Sequence, residues 1–247
     1  MKLWVNIAFH YDTNRLQYLE RVLESVKNIK TEKTHIVVNS NTHFPCTQNL
    51  EIVDDLYDPY LLTWAHKLYM PKFLESDFTH FVYLEDDMEI TDKTFQYWVK
   101  TRELFKSNDF NFIPGIHRVE YDTNGTAYSL DALDRIQKES RPRLSIKNKE
   151  FISITEPYQG MFIMDRELVE EHISSRFFNE VVMHNNYGIR ESANLGNIYV
   201  NIPAGWQHRS LIPLTDFSDC WVHHNANNYI VNPNSRHSRI PTESLFY

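Results

Sequence analysis

The sequence predicts an α/β fold in which helices flank a mostly parallel central sheet. The run at residues 81–84 is uninterruptedly apolar, as expected of a strand that is covered on both faces. A strand, helix, strand pattern opens the chain. Hydrophobic residues make up 42% of the 247 residues, which is enough for a full core. We therefore predict a single α/β domain over residues 1–247.

The opening pattern justifies the parallel pairing. Residues 4–9 and 35–38 are predicted strands, and the segment between them has apolar residues at helical spacing: Leu16, Leu19, Val22, Leu23 and Val26. Such a crossover implies a parallel pair. The loops after both strands should then lie at the sheet edge where strand 81–84 also ends.

Three consecutive carboxylates, Glu85, Asp86 and Asp87, follow the apolar strand directly and form what we call the acidic tip. Ligands bind at the carboxyl ends of strands in open α/β sheets. If the strand continues, Glu85 and Asp87 share one face and Asp86 points the other way. Carboxylate oxygens suit Mg²⁺ or Mn²⁺ better than zinc. The alternative is a solvated acidic turn.

Helices are predicted on both sides of the acidic tip. Thr91 or Asp92 caps the helix after it, whose buried stripe is Phe95, Trp98, Val99 and Phe105. The helix before it has an apolar face, and we expect Pro71 to end or kink it. Its Lys67 is a candidate phosphate ligand, with an ordinary surface charge as the alternative.

Residues 113–150 are the least regular and most charged segment, and we predict an irregular insertion or lid, or an ordinary surface loop. Residues 151–154 and 161–164 are predicted strands. Asp165 is expected to cap the next helix, and Gly160 to let a ligand approach the backbone.

The amino-acid composition argues against several kinds of binding partner and site. The 25 basic and 33 acidic residues give a net charge of −8, which argues against nucleic acid as a partner. Six glycines leave no material for a glycine-rich phosphate loop, and the two cysteines match no zinc or redox spacing. With neither a signal peptide nor a transmembrane segment in the sequence, we expect a cytoplasmic protein.

Residues 83–88, which read YLEDDM, resemble the DXD motif of GT-A glycosyltransferases, and the chain as a whole looks like a family 2-like member. The resemblance implies a GT-A, Rossmann-like fold. It also implies that Asp87 holds Mn²⁺ or Mg²⁺, bridging the donor diphosphate. The loops after the first two strands would contact the base and ribose, which makes these residues candidates for donor binding: Phe9, His10, Tyr11 and Asn39.

Later segments extend the resemblance. Tyr158, Gln159 and Gly160 match the place beneath the donor sugar. Glu191-Ser192 resembles the Glu-Asp pair of inverting members but lacks its second acid, so Glu191 is the candidate general base, with Glu180 in reserve. The family's carboxy-terminal metal-binding histidine would be His223 or His224, with His223 slightly preferred.

The function implied is metal-dependent transfer of a sugar from a nucleotide donor, expected to be UDP-linked, to a hydroxyl of a glycan or other acceptor. Inversion is expected, with retention as the alternative if no carboxylate lies behind the anomeric carbon. Glu85 or Asp86 would orient the ribose or the donor sugar. Residues 1–112 would form the nucleotide-binding half and 151–247 the acceptor-binding half. The alternatives are a metal-dependent phosphoesterase and a non-catalytic sugar-binding protein of the same fold.

Overall fold

The computed structural model describes residues 1–54, 56–158, 160–183 and 187–247. The chain divides into two compact units. Unit 1 comprises Met1–Met88 and Gly160–Val200, and unit 2 comprises Glu89–Gln159 and Asn201–Tyr247. The single domain and its two halves stay predictions.

The elements of both units are numbered in chain order. The strands are β1 (Lys2–Phe9), β2 (Lys33–Ser40), β3 (Asn49–Ile52), β4 (His80–Glu85), β5 (Met88–Glu89), β6 (Ile113–Pro114), β7 (His117–Tyr121), β8 (Ala127–Ser129), β9 (Arg143–Ile146), β10 (Lys149–Ile152), β11 (Met161–Asp165), β12 (Ser210–Pro213), β13 (Trp221–His224) and β14 (Ile240–Pro241). The α-helices are α1 (Leu16–Lys27), α2 (Met70–Glu75), α3 (Asp92–Lys106), α4 (Arg166–Ile173), α5 (Arg176–Asn179), α6 (Ile189–Leu195) and α7 (Asn228–Val231). Within the described ranges, no helix is long and apolar enough to cross a membrane.

Unit 1 is built on a five-stranded sheet in the order β11-β4-β1-β2-β3. Strand β1 pairs in parallel with β2 and with β4, and β2 pairs in parallel with β3; only β11 runs antiparallel, against β4. The parallel strands therefore end at one edge, where Ala8 lies beside Glu85. The predicted α/β class, a mostly parallel sheet flanked by helices, is confirmed.

The helices of unit 1 largely follow the predicted pattern. Helix α1 buries Leu19, Val22, Leu23 and Val26. A 3₁₀ helix over Pro59–Leu68 precedes α2. The break expected at Pro71 is confirmed, because the 3₁₀ helix ends at Leu68 and Pro71 lies in the first turn of the next helix, α2. The first turn of a helix does not use its backbone N–H groups, so proline is tolerated there.

Unit 2 contains two further sheets. One has the order β6-β12-β10-β9, and the other has β14-β8-β7-β13 with the boundary strand β5 at its end. Helix α3 begins as predicted, because Thr91 Oγ1 accepts a hydrogen bond from the backbone N–H of Thr94 at 3.1 Å. A core cluster of unit 2 consists of Phe105, Phe112, Leu144, Ile146, Phe151 and Leu211.

The prediction that residues 113–150 are irregular is wrong. Strands β7 and β8 form an antiparallel hairpin whose turn contains Asn124 and Gly125, the latter at a φ of 82°. Strand β9 alternates exposed and buried residues and pairs antiparallel with β10. Half-exposed strands carry many polar side chains, so their low apolar content resembles that of a loop.

Candidate functional site

A cavity of about 410 Å³ lies within unit 1, at the carboxyl ends of β1 and β4. We call it the donor cavity. Its volume is in the range of small-molecule sites. The side chains that line it are Ala8, His10, Asp12, Arg15, Pro59, Tyr60, Leu62, Thr63, Glu85, Asp86 and Arg190. The sheet edge chosen from the sequence is thus the edge that carries the cavity.

Arg15 holds the acidic tip. Its Nε and Nη2 atoms donate to the two carboxylate oxygens of Asp86 at 2.8 Å each, and Nη2 also donates to Asp87 at 2.8 Å. Asp86 and Asp87 are both buried, at 6% exposure. A bidentate guanidinium–carboxylate pair fixes geometry as well as charge. The acidic tip is therefore a fixed, ion-paired part of the fold and not a solvated turn.

Burial raises the pKa of Asp86 to about 7, even though the hydrogen bond from Arg15 lowers it. The neighbouring charges of Asp87 and Glu85 raise the pKa of Asp86 further. The hydrogen bond to Asp86 raises the pKa of the Arg15 guanidinium, which stays charged. Because a single guanidinium faces several neighbouring carboxylates, Asp86 retains its proton more readily than an ordinary exposed carboxyl group does.

Gly160 lies beside the acidic tip, close to where the sequence placed it. Its carbonyl oxygen accepts a hydrogen bond from the backbone N–H of Glu85 at 2.9 Å. A Cβ at Gly160 would lie 3.6 Å from Cδ of Glu85 and 3.2 Å from Met88, and its φ is +64°. The side chain of Glu85 is held from α6, because Asn194 Nδ2 donates to Glu85 Oε1 at 3.3 Å. Gln159 lies outside the described residues.

The lining of the donor cavity also contains an aromatic ring and a second guanidinium. Tyr60 is 57% exposed, and the guanidinium of Arg190 lies 5.9 Å from the centre of its ring. Arg190 and Asn194 are four residues apart in α6 and so share one face. Helix α6 thereby contributes both to the cavity wall and to the position of Glu85.

Three of the predicted donor-binding residues lie away from the donor cavity. Phe9 is fully buried and packs edge-on against Tyr11 and Phe44. Tyr11 stacks on Phe44. Asn39 is also fully buried, and its Nδ2 donates to Asn6 Oδ1 at 2.7 Å. None of these three side chains is among the residues that line the donor cavity, and their role in donor binding stays a prediction. The fourth, His10, is exposed and lines the cavity.

Lys67 has a structural position at the end of α5, and the phosphate-binding role expected for it stays a prediction. Its ammonium donates to the carbonyl oxygens of Phe177 and Phe178 at 2.6 Å and of Glu180 at 3.3 Å. An ammonium has three N–H donors, and these three carbonyls take them all. Lys67 therefore fastens the end of α5 to the 3₁₀ helix.

Glu191 lies in the first turn of α6, as predicted, but not among the residues that line the donor cavity. Its Oε1 accepts from Arg190 Nη2 at 3.1 Å and from Nε at 3.3 Å. Because Glu191 is one residue from Arg190, it points about 100° away around the helix. The carboxylate is thus held next to a residue of the cavity wall. Glu180 is exposed, directly after α5.

The two candidate histidines belong to β13, in unit 2. His224 Nδ1 lies 2.7 Å from Oε1 of Glu120, and both side chains are buried. His223 Nε2 lies 3.2 Å from Asn227 Oδ1, and its Nδ1 lies 3.7 Å from Glu89. Each imidazole therefore has its own polar partners within unit 2. Tyr158, also in unit 2, lies under the guanidinium of Arg118 at 4.5 Å.

The carboxylates of the acidic tip do not fit a resident divalent ion in this arrangement. The Arg15 guanidinium lies against both Asp86 and Asp87, so a bound ion would bring a second positive charge next to it. Among the described residues, no group of three or more His, Cys, Asp and Glu side chains is arranged so that it could hold a metal ion. The Mn²⁺ or Mg²⁺ ion stays a prediction from the sequence.

Arg15 is the residue that the sequence analysis missed, together with the wall residues Pro59, Tyr60 and Thr63. Arg15 lies 71 residues from Asp86 in the chain, so no local pattern links the two. The available signal was a cation a few residues after the first strand, on the edge that also carries the acids.

No family model matches this chain, and no curated protein matches it. Among solved structures, S. aureus TarS is similar at 13% identity and a TM-score of 0.39, over 70% of this chain and 30% of that one. TarS 1-349 is similar at 11% identity and a TM-score of 0.39, over 80% of this chain and 54% of that one. A CMP:2-keto-3-deoxy-manno-octonic acid synthetase complexed with CTP is similar at 10% identity and a TM-score of 0.38, over 70% of this chain and 77% of that one. The chain thus spans about a third of TarS, and at these scores the likenesses assign neither a family nor an activity to it.

Proposed function

We propose that this chain transfers a sugar from a nucleotide-sugar donor, UDP-linked as the sequence resemblance suggests, to a hydroxyl of a glycan or other acceptor. The supporting observation is the donor cavity, where carboxylates and guanidinium groups converge at the carboxyl ends of parallel strands. Nucleotide sugars carry both a diphosphate and several hydroxyl groups, and this lining suits both.

Each part of the donor has a matching group in the cavity. Arg15 and Arg190 suit the diphosphate, since guanidinium groups bind phosphate oxygens in pairs. The exposed ring of Tyr60 suits stacking on the base or on a sugar face. Glu85 and Asp86 suit hydroxyl groups of the ribose or the donor sugar, which donate hydrogen bonds to carboxylates.

The reaction proposed is a single displacement. The acceptor oxygen forms a bond to the anomeric carbon as the bond from that carbon to the diphosphate oxygen breaks, and the electron pair leaves with the nucleoside diphosphate. The acceptor proton passes to a base, for which Glu191 is the candidate and Glu180 the reserve. A displacement of this kind inverts the anomeric configuration.

Calorimetric titration with a panel of nucleoside diphosphates and nucleotide sugars tests donor binding, and release of nucleoside diphosphate in the presence of acceptor hydroxyls tests turnover. Tyr60→Ala should weaken binding by about tenfold, given the usual worth of a stacked ring. Tyr57→Ala is the matched control, because Tyr57 is 86% exposed and is not among the residues that line the cavity.

Each outcome separates the proposed transferase from its alternatives. Rapid nucleotide hydrolysis without an acceptor would favour the phosphoesterase. Tight binding with no turnover on any acceptor would favour the non-catalytic sugar-binding protein. Absence of binding for the whole panel would overturn the donor cavity as a nucleotide-sugar site.

A further inference from the structure

Arg15 retains hydrogen-bond donors after it has bound the acidic tip. A guanidinium has five N–H groups, of which Nε supplies one and each Nη supplies two. The contacts to Asp86 and Asp87 use Nε and both hydrogens of Nη2. No acceptor for Nη1 occurs among the residues that the structure describes, so its two N–H groups are left over. The Arg15 side chain is 34% exposed and lines the donor cavity.

The position of Arg15 is fixed by local structure. It ends the 3₁₀ turn Thr13–Arg15, which Asp12 caps by accepting the backbone N–H of Asn14 at 2.8 Å. The Arg15 guanidinium also lies 5.7 Å from the centre of the Tyr18 ring. The side chain is thus held at both ends, by its backbone turn and by the acidic tip. A hydrogen-bonding side chain that is fixed in this way loses little conformational entropy when it binds a ligand.

We propose that Arg15 binds the diphosphate of the nucleotide donor through Nη1 and supplies the positive charge that a divalent ion would otherwise bring, so that donor binding needs no metal. This inference rests on the function proposed above. The guanidinium lies against the carboxylates that a metal would use, and the Arg15 side chain lines the cavity. A diphosphate oxygen meets a charged donor there without any rearrangement of the protein.

A metal-dependent site would require a different arrangement of the same residues. An ion coordinated by Asp86 or Asp87 would lie next to the Arg15 guanidinium, which already contacts both oxygens of Asp86 and one oxygen of Asp87, and the two positive charges would repel each other. Both carboxylates are buried, and buried acids separated from their counter-charge are costly. The geometry therefore favours Arg15 over an added ion as the cation next to the phosphates.

The test is calorimetric titration of the full chain with UDP, GDP, ADP and CDP, each in EDTA and again in Mn²⁺. The variants are Arg15→Gln, Arg15→Lys and the control Arg21→Gln, which changes an exposed arginine of α1. We expect wild-type binding of at least one nucleotide in EDTA. Arg15→Gln should weaken it by about 10- to 100-fold, as for loss of charged hydrogen bonds, whereas Arg21→Gln should not. Arg15→Lys keeps the positive charge but lacks the planar set of N–H donors, so this variant should lose less nucleotide affinity than Arg15→Gln.

The outcomes distinguish the inference from the proposed function. Binding in Mn²⁺ but not in EDTA would overturn the role of Arg15 as the replacement cation and leave the donor cavity standing. Binding in EDTA that Arg15→Gln and Arg15→Lys leave unchanged would overturn it as well. No binding by the wild type in either condition would overturn the proposed function and the inference with it. If Arg15→Gln fails to fold, the EDTA titration of the wild type and the Arg15→Lys variant still decide.

Discussion

Arg15 binds both carboxylate oxygens of Asp86, through Nε and Nη2 at 2.8 Å, although the two residues lie 71 positions apart. This ion pair joins the loop after β1 to the end of β4 and so fixes the floor of the donor cavity. Because Nη2 also reaches Asp87, a single guanidinium compensates two buried carboxylates. Stability and ligand binding in unit 1 are therefore expected to depend on the same side chain.

Replacing Arg15 should destabilise the fold. We expect Arg15→Gln to lower the free energy of unfolding by about 2 to 3 kcal/mol, somewhat less than for a fully buried pair, because Asp86 and Asp87 lose their counter-charge. Urea denaturation measures this, and Asp86→Asn in the same background should recover part of the loss. Equal unfolding midpoints for Arg15→Gln and Arg21→Gln would contradict the prediction.

Gly160 should tolerate no side chain. Gly160→Ala adds a Cβ 3.2 Å from Met88 at a φ of +64°, so we expect a loss of about 2 kcal/mol from strain and crowding together. Gly125→Ala is the matched control, since Gly125 has a φ of +82° with nothing within 4 Å of the added Cβ. Thermal unfolding should show the larger decrease for Gly160→Ala, and a larger decrease for Gly125→Ala would refute the close approach.

Lys67 should matter for stability. Lys67→Met leaves the three carbonyl oxygens at the end of α5 without their donor, and we expect a loss of about 2 kcal/mol, the usual range for hydrogen bonds to a charged group. Lys27→Met, at an exposed position in the last turn of α1, is the control. If both variants unfold at the same urea concentration, Lys67 has no anchoring role.

His66 should make the protein sensitive to acid. Burial lowers the pKa of His66 to about 3, and its Nδ1–H donates to the carbonyl oxygen of Thr63 at 2.7 Å. Because the unfolded chain binds this proton near pH 6.5 and the folded one does not, stability is full above pH 6.5 and falls as the pH decreases towards 3. From pH 8 to pH 5 the loss should be about 2 kcal/mol.

His66→Phe keeps a ring in the same place and removes the titration, so its stability should fall less between those two pH values than that of the wild type. The comparison cancels the other titrating groups, including Asp86. Identical pH dependence of urea unfolding in both proteins would show that His66 is not the acid-sensitive group.

Glu191 is predicted to act as the base of the proposed transfer. Glu191→Gln should lower kcat by at least about 100-fold, the usual effect of losing a general base, with a much smaller change in nucleotide affinity. Glu180→Gln tests the reserve candidate for the same role. A loss of kcat in Glu180→Gln with none in Glu191→Gln would reassign the role.

The sequence predicts those parts of the fold that depend on local patterns. The apolar run at 81–84, the cap at Thr91 and the apolar spacing of α1 each belong to one segment, and all three are confirmed. The acidic tip is at the predicted edge for the same reason. Strand β9 escapes prediction because its exposed face is polar, and β7 because two of its buried side chains, His117 and Glu120, are polar.

Side-chain partners from distant segments were not predictable in this way. Lys67 donates a hydrogen bond to α5, and Asn39 donates one to Asn6 of the neighbouring strand; only the tertiary structure brings these partners together. The same holds for Arg15 and Asp86. A motif identifies which residue types occur in a place, and it does not identify which of them pair with each other.

Hydrogen–deuterium exchange of the full chain with and without saturating UDP tests the location of the donor site most directly. We expect slower exchange in peptides that cover residues 8–15, 59–63 and 85–87, which contribute to the donor cavity. Unit 2 contains a separate cavity of about 270 Å³, lined by His117, Arg141 and Glu156 among others. Protection confined to the peptides of that cavity, or no protection in either unit, would contradict a nucleotide site at the acidic tip.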